Sequence, residues 1–359
     1  MSLFNKVAII AECGINHNGS LKRAKEMVDI AIDSGADFVK FQIFNTEALV
    51  RKEAPLAAYQ KKSVNNSDSQ FELLKRYELT EQDFKELYDY CVKKKISFLA
   101  TPFDIGSLQF LNSLGVEYIK VSSGDLTNGP LLLEMARLNK NIILSTGMAN
   151  LDDIFNALAI LQYGYDNRDS KNPQLFDDIA WLSEQKNFSK LRDNVTILHC
   201  TSSYPAEPKS LNLRAIQTLQ DKTNLTIGYS DHSVGIHIPV AAVSLGARII
   251  EKHFTLSKNL PGPDHQASIE PSELKQMVSN IKDIELALGS GEKKIDASEI
   301  ETSRIVRKGL YAKRKILKGE LLQEGSIDIL RPEAKSSPML LWDKLGAVAE
   351  KDYEIGDPL

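Results

Sequence analysis

Eight short β-branched runs separated by amphipathic segments predict an α/β protein, closed as a (β/α)8 barrel and followed by a small β-rich domain. The runs lie at 7–12, 38–42, 97–101, 118–122, 141–145, 196–201, 225–229 and 249–254. Strands that alternate with helices pair in parallel through right-handed crossovers. Eight such units fill the first 290 residues or so, the span a closed barrel uses. An open doubly wound sheet is the competitor, but it carries a glycine-rich phosphate turn after its first strand. Cys13-Gly-Ile-Asn-His-Asn-Gly19 does not have that spacing.

Each connecting helix carries its own signals. Ser20 is the N-cap of the first, Ala24, Met27, Val28, Ala31 and Ile32 form its apolar stripe, and Gly35 ends it in the left-handed conformation. Thr80-Glu-Gln-Asp83 opens another with capping-box chemistry, and Phe84, Leu87, Tyr88 and Cys91 are its stripe. Residues 43–79 read as a long polar loop after the second strand, and 163–194 as an insertion before the sixth. A helix ends over 282–288, residues 291–304 read as a polar linker, and 305–359 read as a separate domain with a strand at 310–312.

Composition removes several function classes. Of 359 residues, 42% are apolar and 26% charged, which excludes whole-chain disorder and coiled coil. Lys and Arg number 44 against 48 Asp and Glu, a net charge of −4, so no basic surplus points to nucleic acid. No apolar run is long enough to span a membrane. Cys13, Cys91 and Cys200 have no paired spacing, and a reduced cytoplasm is the expected setting.

In a barrel the chemistry sits at the C-terminal strand ends. These ends are polar on nearly every strand: Glu12, Lys40 with Gln42, Thr101, Lys120 with Ser123, Ser145, His199 with Thr201, Ser230-Asp231-His232, and Glu251 with His253. Side chains alternate along a strand, so Lys40 and Gln42 share the inner face. Two buried lysines from nearby strands need an anion, and a phosphate or carboxylate ligand cradled by Ser123, Ser145 and Ser230 is the expected one. His232 and His253 end adjacent strands and suit a divalent metal, with Glu251 on the same face as His253. His17, His199, His237 and His265 are weaker candidates.

Taken in order, Glu12-Cys-Gly-Ile-Asn-His-Asn-Gly19, Val39-Lys-Phe-Gln42, Lys120-Val-Ser-Ser-Gly-Asp125, Leu144-Ser-Thr-Gly-Met148, Tyr229-Ser-Asp-His232, Glu251-Lys-His-Phe-Thr255 and Pro261-Gly-Pro-Asp264 resemble the sialic acid synthase family, which includes N-acetylneuraminate and N,N′-diacetyllegionaminate synthases. The resemblance covers essentially the whole chain, and the tail around Arg331-Pro332 resembles the antifreeze-like (SAF) domain that ends these TIM-barrel enzymes. It implies condensation of phosphoenolpyruvate with the open aldehyde of an N-acetylated mannose-type sugar, giving a nine-carbon 2-keto acid and phosphate. It implies that Lys40, Thr101, Lys120, Ser123, Ser145 and Ser230 hold phosphoenolpyruvate, and that Gln42, Asp125, Tyr204 and Asp264 contact the sugar. His232 and His253 would hold a divalent metal, typically manganese, with magnesium or cobalt as the other candidates, and Glu12 would lie near the metal and the reacting carbons. Arg331 would reach into the partner subunit's site, family members being domain-swapped homodimers. Asp125 stands where the family commonly has Glu, and Ser202 where several members carry Asn or Thr. A condenser acting on a phosphorylated aldose is one alternative, though no second basic cluster serves it. A non-catalytic carbohydrate- or ice-binding protein is another.

Overall fold

The computed structural model describes residues 6–56, 69–169 and 187–359. Two compact units divide the chain, Met1–Gly289 and Ser290–Leu359. In the first, β1 (Ala8–Gly14), β2 (Phe38–Ile43), β3 (Ser97–Pro102), β4 (Tyr118–Val121), β5 (Asn141–Ser145), β6 (Val195–Cys200), β7 (Thr226–Asp231) and β8 (Ile249–His253) form one sheet. Its ladder runs β3-β2-β1-β8-β7-β6-β5-β4, every pair parallel. β3 and β4, at the two ends of that ladder, also pack together, so the ring closes as a (β/α)8 barrel.

The caps form as the sequence predicts. Ser20 accepts from the Arg23 amide, Gly35 has φ 80°, and Thr80 and Asp83 make a reciprocal capping box. Buried apolar side chains sort into two layers. Val39, Phe41, Ile197, Ile227, Tyr229 and Ile250 face the helices, while Ala8, Ile10, Phe38, Leu99, Ile143, Leu198 and Ile249 fill the barrel interior. Each buried aliphatic or aromatic side chain contributes roughly 1.5–3 kcal/mol relative to exposure. The helix-facing layer is much the larger of the two and holds most of this unit's apolar burial.

Three expectations change. Residues 43–79 are not uniformly loop: the helices Thr46–Leu49 and Gln70–Tyr77 lie within them, the second capped by Ser69 and Glu72 and burying Leu73 and Leu74. Residues 57–68 lie outside the described residues. The insertion at 163–194 begins later, because Tyr163–Asp166 complete the helix Leu151–Asp166; Phe188 stacks on Phe155 at its far end, and 170–186 lie outside the described residues. The stretch 291–304 is not featureless, since the helix Ile300–Val306 begins in it.

The second unit, taken by itself, is built on an antiparallel pair, β9 (Gly309–Ala312) with β10 (Ile327–Leu330). Further bridges join Tyr311 to Pro358, Ile316 to Tyr353 and Leu321 to Val348. Leu310, Ala312, Ile316, Leu322, Ile327, Ala349, Tyr353 and Leu359 make its core. No helix among the described residues is long and apolar enough to cross a membrane.

Candidate active site

Stepping by two along each strand takes the inner face from apolar to polar. β1 reads Ala8, Ile10, Glu12; β2 reads Phe38, Lys40, Gln42; β8 reads Ile249, Glu251, His253. These upper inner positions open into one cavity of about 1260 Å³ at the C-terminal strand ends. Glu12, Lys40, Gln42, Thr101, Lys120, Ser123, Ser145, Tyr204, Ser230, His232, Glu251, His253 and Asp264 all line it. Ile15, Phe44, Leu49, Val50, Leu74 and Phe103 give it an apolar wall.

At its floor two lysines meet two carboxylates. Lys40 Nζ lies 2.7 Å from Glu12 Oε2 and 3.6 Å from Glu251 Oε2. Lys120 Nζ lies 3.8 Å from Glu251 Oε1 and donates to Ser145 Oγ at 2.6 Å. Glu12 and Glu251 supply the countercharge that two buried lysines need within the protein itself. Ser230 donates to Glu251 Oε1 at 2.8 Å and so helps to hold that carboxylate. Ser123 Oγ lies 3.1 Å from Cys200 Sγ and accepts from the Gly147 amide at 3.0 Å. A Cβ on Gly147 would sit 2.2 Å from Ser202 Oγ and 2.9 Å from both Cys200 Sγ and Ser123 Oγ. Met148, beside it, is 75% exposed.

The two carboxyls are pushed apart. Burial drives Glu12 up to about 7, with Lys40 opposing and Glu251 reinforcing the rise. Burial also penalises Glu251, but Lys120, Lys40 and the Ser230 hydroxyl outweigh it and hold that carboxyl down to about 2. Burial alone raises Asp264 to about 6. Burial lowers both His232 and His253, so both imidazoles are neutral.

Those imidazoles lie with ring centroids 5.7 Å apart. His232 Nδ1 is 2.8 Å from the Thr201 carbonyl oxygen and so carries the proton. Its Nε2 lone pair faces the cavity, where the Tyr204 hydroxyl donates to it at 3.1 Å. Among the described residues, His253 Nδ1 and Glu12 Oε1 are buried without a hydrogen-bond partner. Gly14 (φ 51°) keeps space beside both, since a Cβ there would come within 3.2 Å of Glu12 Oε1 and of His253 Cε1. Neutral imidazoles, one with its tautomer set by a backbone carbonyl, beside an orphaned carboxyl oxygen fit a divalent cation. Among the described residues no three His, Cys, Asp or Glu side chains gather closely enough to hold a metal ion by themselves, so a cation here would have at most these two imidazoles and would need its other ligands from elsewhere.

One expected site residue, Asp125, does not line the cavity. It turns away in the short helix after β4, its oxygens accepting from Ser122 at 2.6 Å and Asn128 at 3.1 Å. Arg331 is exposed in the second unit. Three of the four weaker histidines are held by hydrogen bonds: His17 accepts from the Gly19 amide, His265 bonds Thr255 and Asn18, and His199 bonds the Leu211 carbonyl, while His237 is exposed at the start of the helix His237–Ser244. Glu251, read only as a companion of His253, proves to be the anion that both lysines share. A signal for it existed: it lies two residues before a cavity histidine and is in register with Ser230.

The NeuB family model matches residues 27–293. The N,N′-diacetyllegionaminic acid synthase of Campylobacter jejuni is 47% identical over 349 residues, covering 97% of each chain. The enzyme of the same name from Legionella pneumophila is 40% identical, covering 98% of this chain and 92% of its own. Among solved structures, the N-acetylneuraminic acid synthetase of Leptospira borgpetersenii superposes with a TM-score of 0.67 at 37% identity, covering 83% of this chain and 90% of that one. By the family model and by its relatives, this chain belongs to the NeuB family of sugar acid synthases.

Proposed function

We propose that the chain condenses phosphoenolpyruvate with the open-chain aldehyde of an N-acetylmannosamine-type sugar, yielding a nine-carbon 2-keto sugar acid and phosphate. The observation that carries this reading is the floor of the cavity: two lysines held within ion-pairing range of two carboxylates, one of which titrates near neutrality. The name of the 47%-identical relative favours N,N′-diacetyllegionaminate as the product, from 2,4-diacetamido-2,4,6-trideoxymannose, with N-acetylneuraminate as the alternative.

Lys40 and Lys120, with the Thr101 and Ser145 hydroxyls, receive the enol phosphate and its carboxylate. An arriving anion favours the protonated form of Glu12, so Glu12 takes up a proton and hands Lys40 to the substrate. Glu251 stays ionised and fixes both ammonium groups. The enol carbon C3 then attacks the aldehyde carbon, water adds at C2, and the resulting tetrahedral centre expels phosphate to leave the ketone. Gln42, Tyr204 and Asp264 orient the sugar chain beside the imidazoles. A divalent cation held by His232 and His253 supplies Lewis-acid polarisation of a carbonyl oxygen. Arg331, on an exposed part of the second unit, offers a planar donor fork to a sugar amide or carboxylate in the partner subunit of a homodimer. Exposed Leu330, Met339, Leu340 and Trp342 on the same unit suit such an assembly, and the unit's role is that of an antifreeze-like domain.

The test is phosphate release from phosphoenolpyruvate by purified protein, with each diacetamido or monoacetamido sugar in parallel. Turnover requires the sugar and Mn2+ together and stops on chelation; phosphate release indifferent to either component rejects the reading. The ratio of kcat/KM for the two sugars assigns the product.

A further inference from the structure

The alternation that sends His232 and His253 into the cavity sends their neighbours Asp231 and Lys252 the other way, into the layer between the barrel and its helices. We propose that this Asp231–Lys252 ion pair is a positioning device that fixes how the two imidazoles and Tyr204 meet. The inference rests on the reading that those imidazoles hold a divalent cation.

The two side chains are 0% exposed and are register partners on β7 and β8. Lys252 Nζ donates to Asp231 Oδ2 and to the Ser233 carbonyl. Asp231 in turn accepts from the Ser233 amide and hydroxyl, each at 3.0 Å, and from the Tyr229 hydroxyl at 3.2 Å. Ser233 bridges in parallel to Ala206, whose amide donates to the His232 carbonyl at 2.9 Å. Ala206 lies two residues beyond Tyr204. One ammonium therefore ties the β8 end, the turn after β7 and the Tyr204 segment into a single knot directly behind the histidines.

Stability does not account for it. Buried ion pairs are commonly matched or exceeded in stability by apolar pairs of similar volume, and this layer is otherwise filled by residues such as Ile227 and Ile250. What an apolar pair cannot do is orient: it has no directional bond to the Ser233 carbonyl or amide. Direct hydrogen-bond partners of a metal-binding histidine are worth about 10–100-fold in metal affinity, and this knot acts one step behind them, through the backbone that carries His232.

The decisive experiment compares the full-length wild-type chain with the double variant Asp231→Leu/Lys252→Met. Mn2+ binding is read by equilibrium dialysis, the His232 tautomer by 15N imidazole shifts without metal, and folding by thermal melting. A variant that melts at or above the wild-type temperature, binds Mn2+ about 10–100-fold more weakly and loses the pure Nδ1–H tautomer of His232 bears the proposal out. A folded variant with Mn2+ affinity within twofold and an unchanged tautomer overturns it. If the wild type holds no Mn2+, the cation reading falls and the tautomer comparison alone decides. If the double variant does not fold, Lys252→Arg, which keeps the charge but shifts the bonds, is judged by the same readouts.

Discussion

β8 carries charge on both faces, and the two sides of the barrel wall solve burial differently. On the outer face, Asp231 and Lys252 satisfy each other one to one and are sealed from water. On the inner face, Lys40 and Lys120 share Glu12 and Glu251 over 2.7–3.8 Å, and one carboxyl sits near 7 while the other sits near 2. A saturated pair has nothing left to offer a ligand. A shared set with one adjustable proton can accept an anion without leaving a lysine unpaired. Burial alone therefore does not distinguish architecture from chemistry; the stoichiometry of the partners does.

Removing one anion breaks the inner set most severely. Glu251→Gln leaves two buried lysines with Glu12 alone, and is expected to cost roughly 3–5 kcal/mol of stability as read by urea denaturation. A loss below about 1 kcal/mol would mean that the lysines find other partners. The same contrast between sealed and cavity-facing groups extends to imidazoles. Burial, with Arg23 adding, lowers His17 to about 4, against an ordinary 6.5. The unfolded chain then takes up the proton first, so this contribution is whole above pH 6.5 and is lost as pH falls towards 4. At about 1.4 kcal/mol per pK unit it amounts to roughly 3 kcal/mol. The difference in stability between wild type and His17→Gln should shrink by that amount over the interval; a parallel pair of pH curves would remove His17 from the acid sensitivity. The smallest effect is expected in the second unit. Arg331→Ala should raise the sugar KM about tenfold, about 1.4 kcal/mol, and leave the phosphoenolpyruvate KM unchanged. Equal changes in both would end its assignment to the sugar.

The strands and helix caps were legible because they depend on neighbours in sequence. β-branched runs make strands, and Ser20, Gly35 and Thr80 act within a turn of where they stand. The short helices inside 43–79 were readable in part, since Ser69 and Glu72 have capping-box spacing ahead of Leu73 and Leu74. The cavity lysines and histidines were legible through strand alternation. Their charge balance was not, because Glu251 meets Lys40 and Lys120 only when β8 lies across the ring from β4. Asp125 eluded the motif for a local reason: Ser122 and Asn128 capture both its oxygens and turn it aside.

The crowding around Gly147 has a practical reach. A side chain there would have to turn aside the ends of Ser202, Cys200 and Ser123, so a change at that position acts on the cavity through those three neighbours. Met148, its largely uncovered neighbour on the cavity lining, meets no such crowding but holds the left-handed conformation at φ 62°, which favours Gly, Asn or Asp over other replacements. A library meant to broaden the sugars accepted should be centred on such replacements at Met148, with Gly147 left untouched.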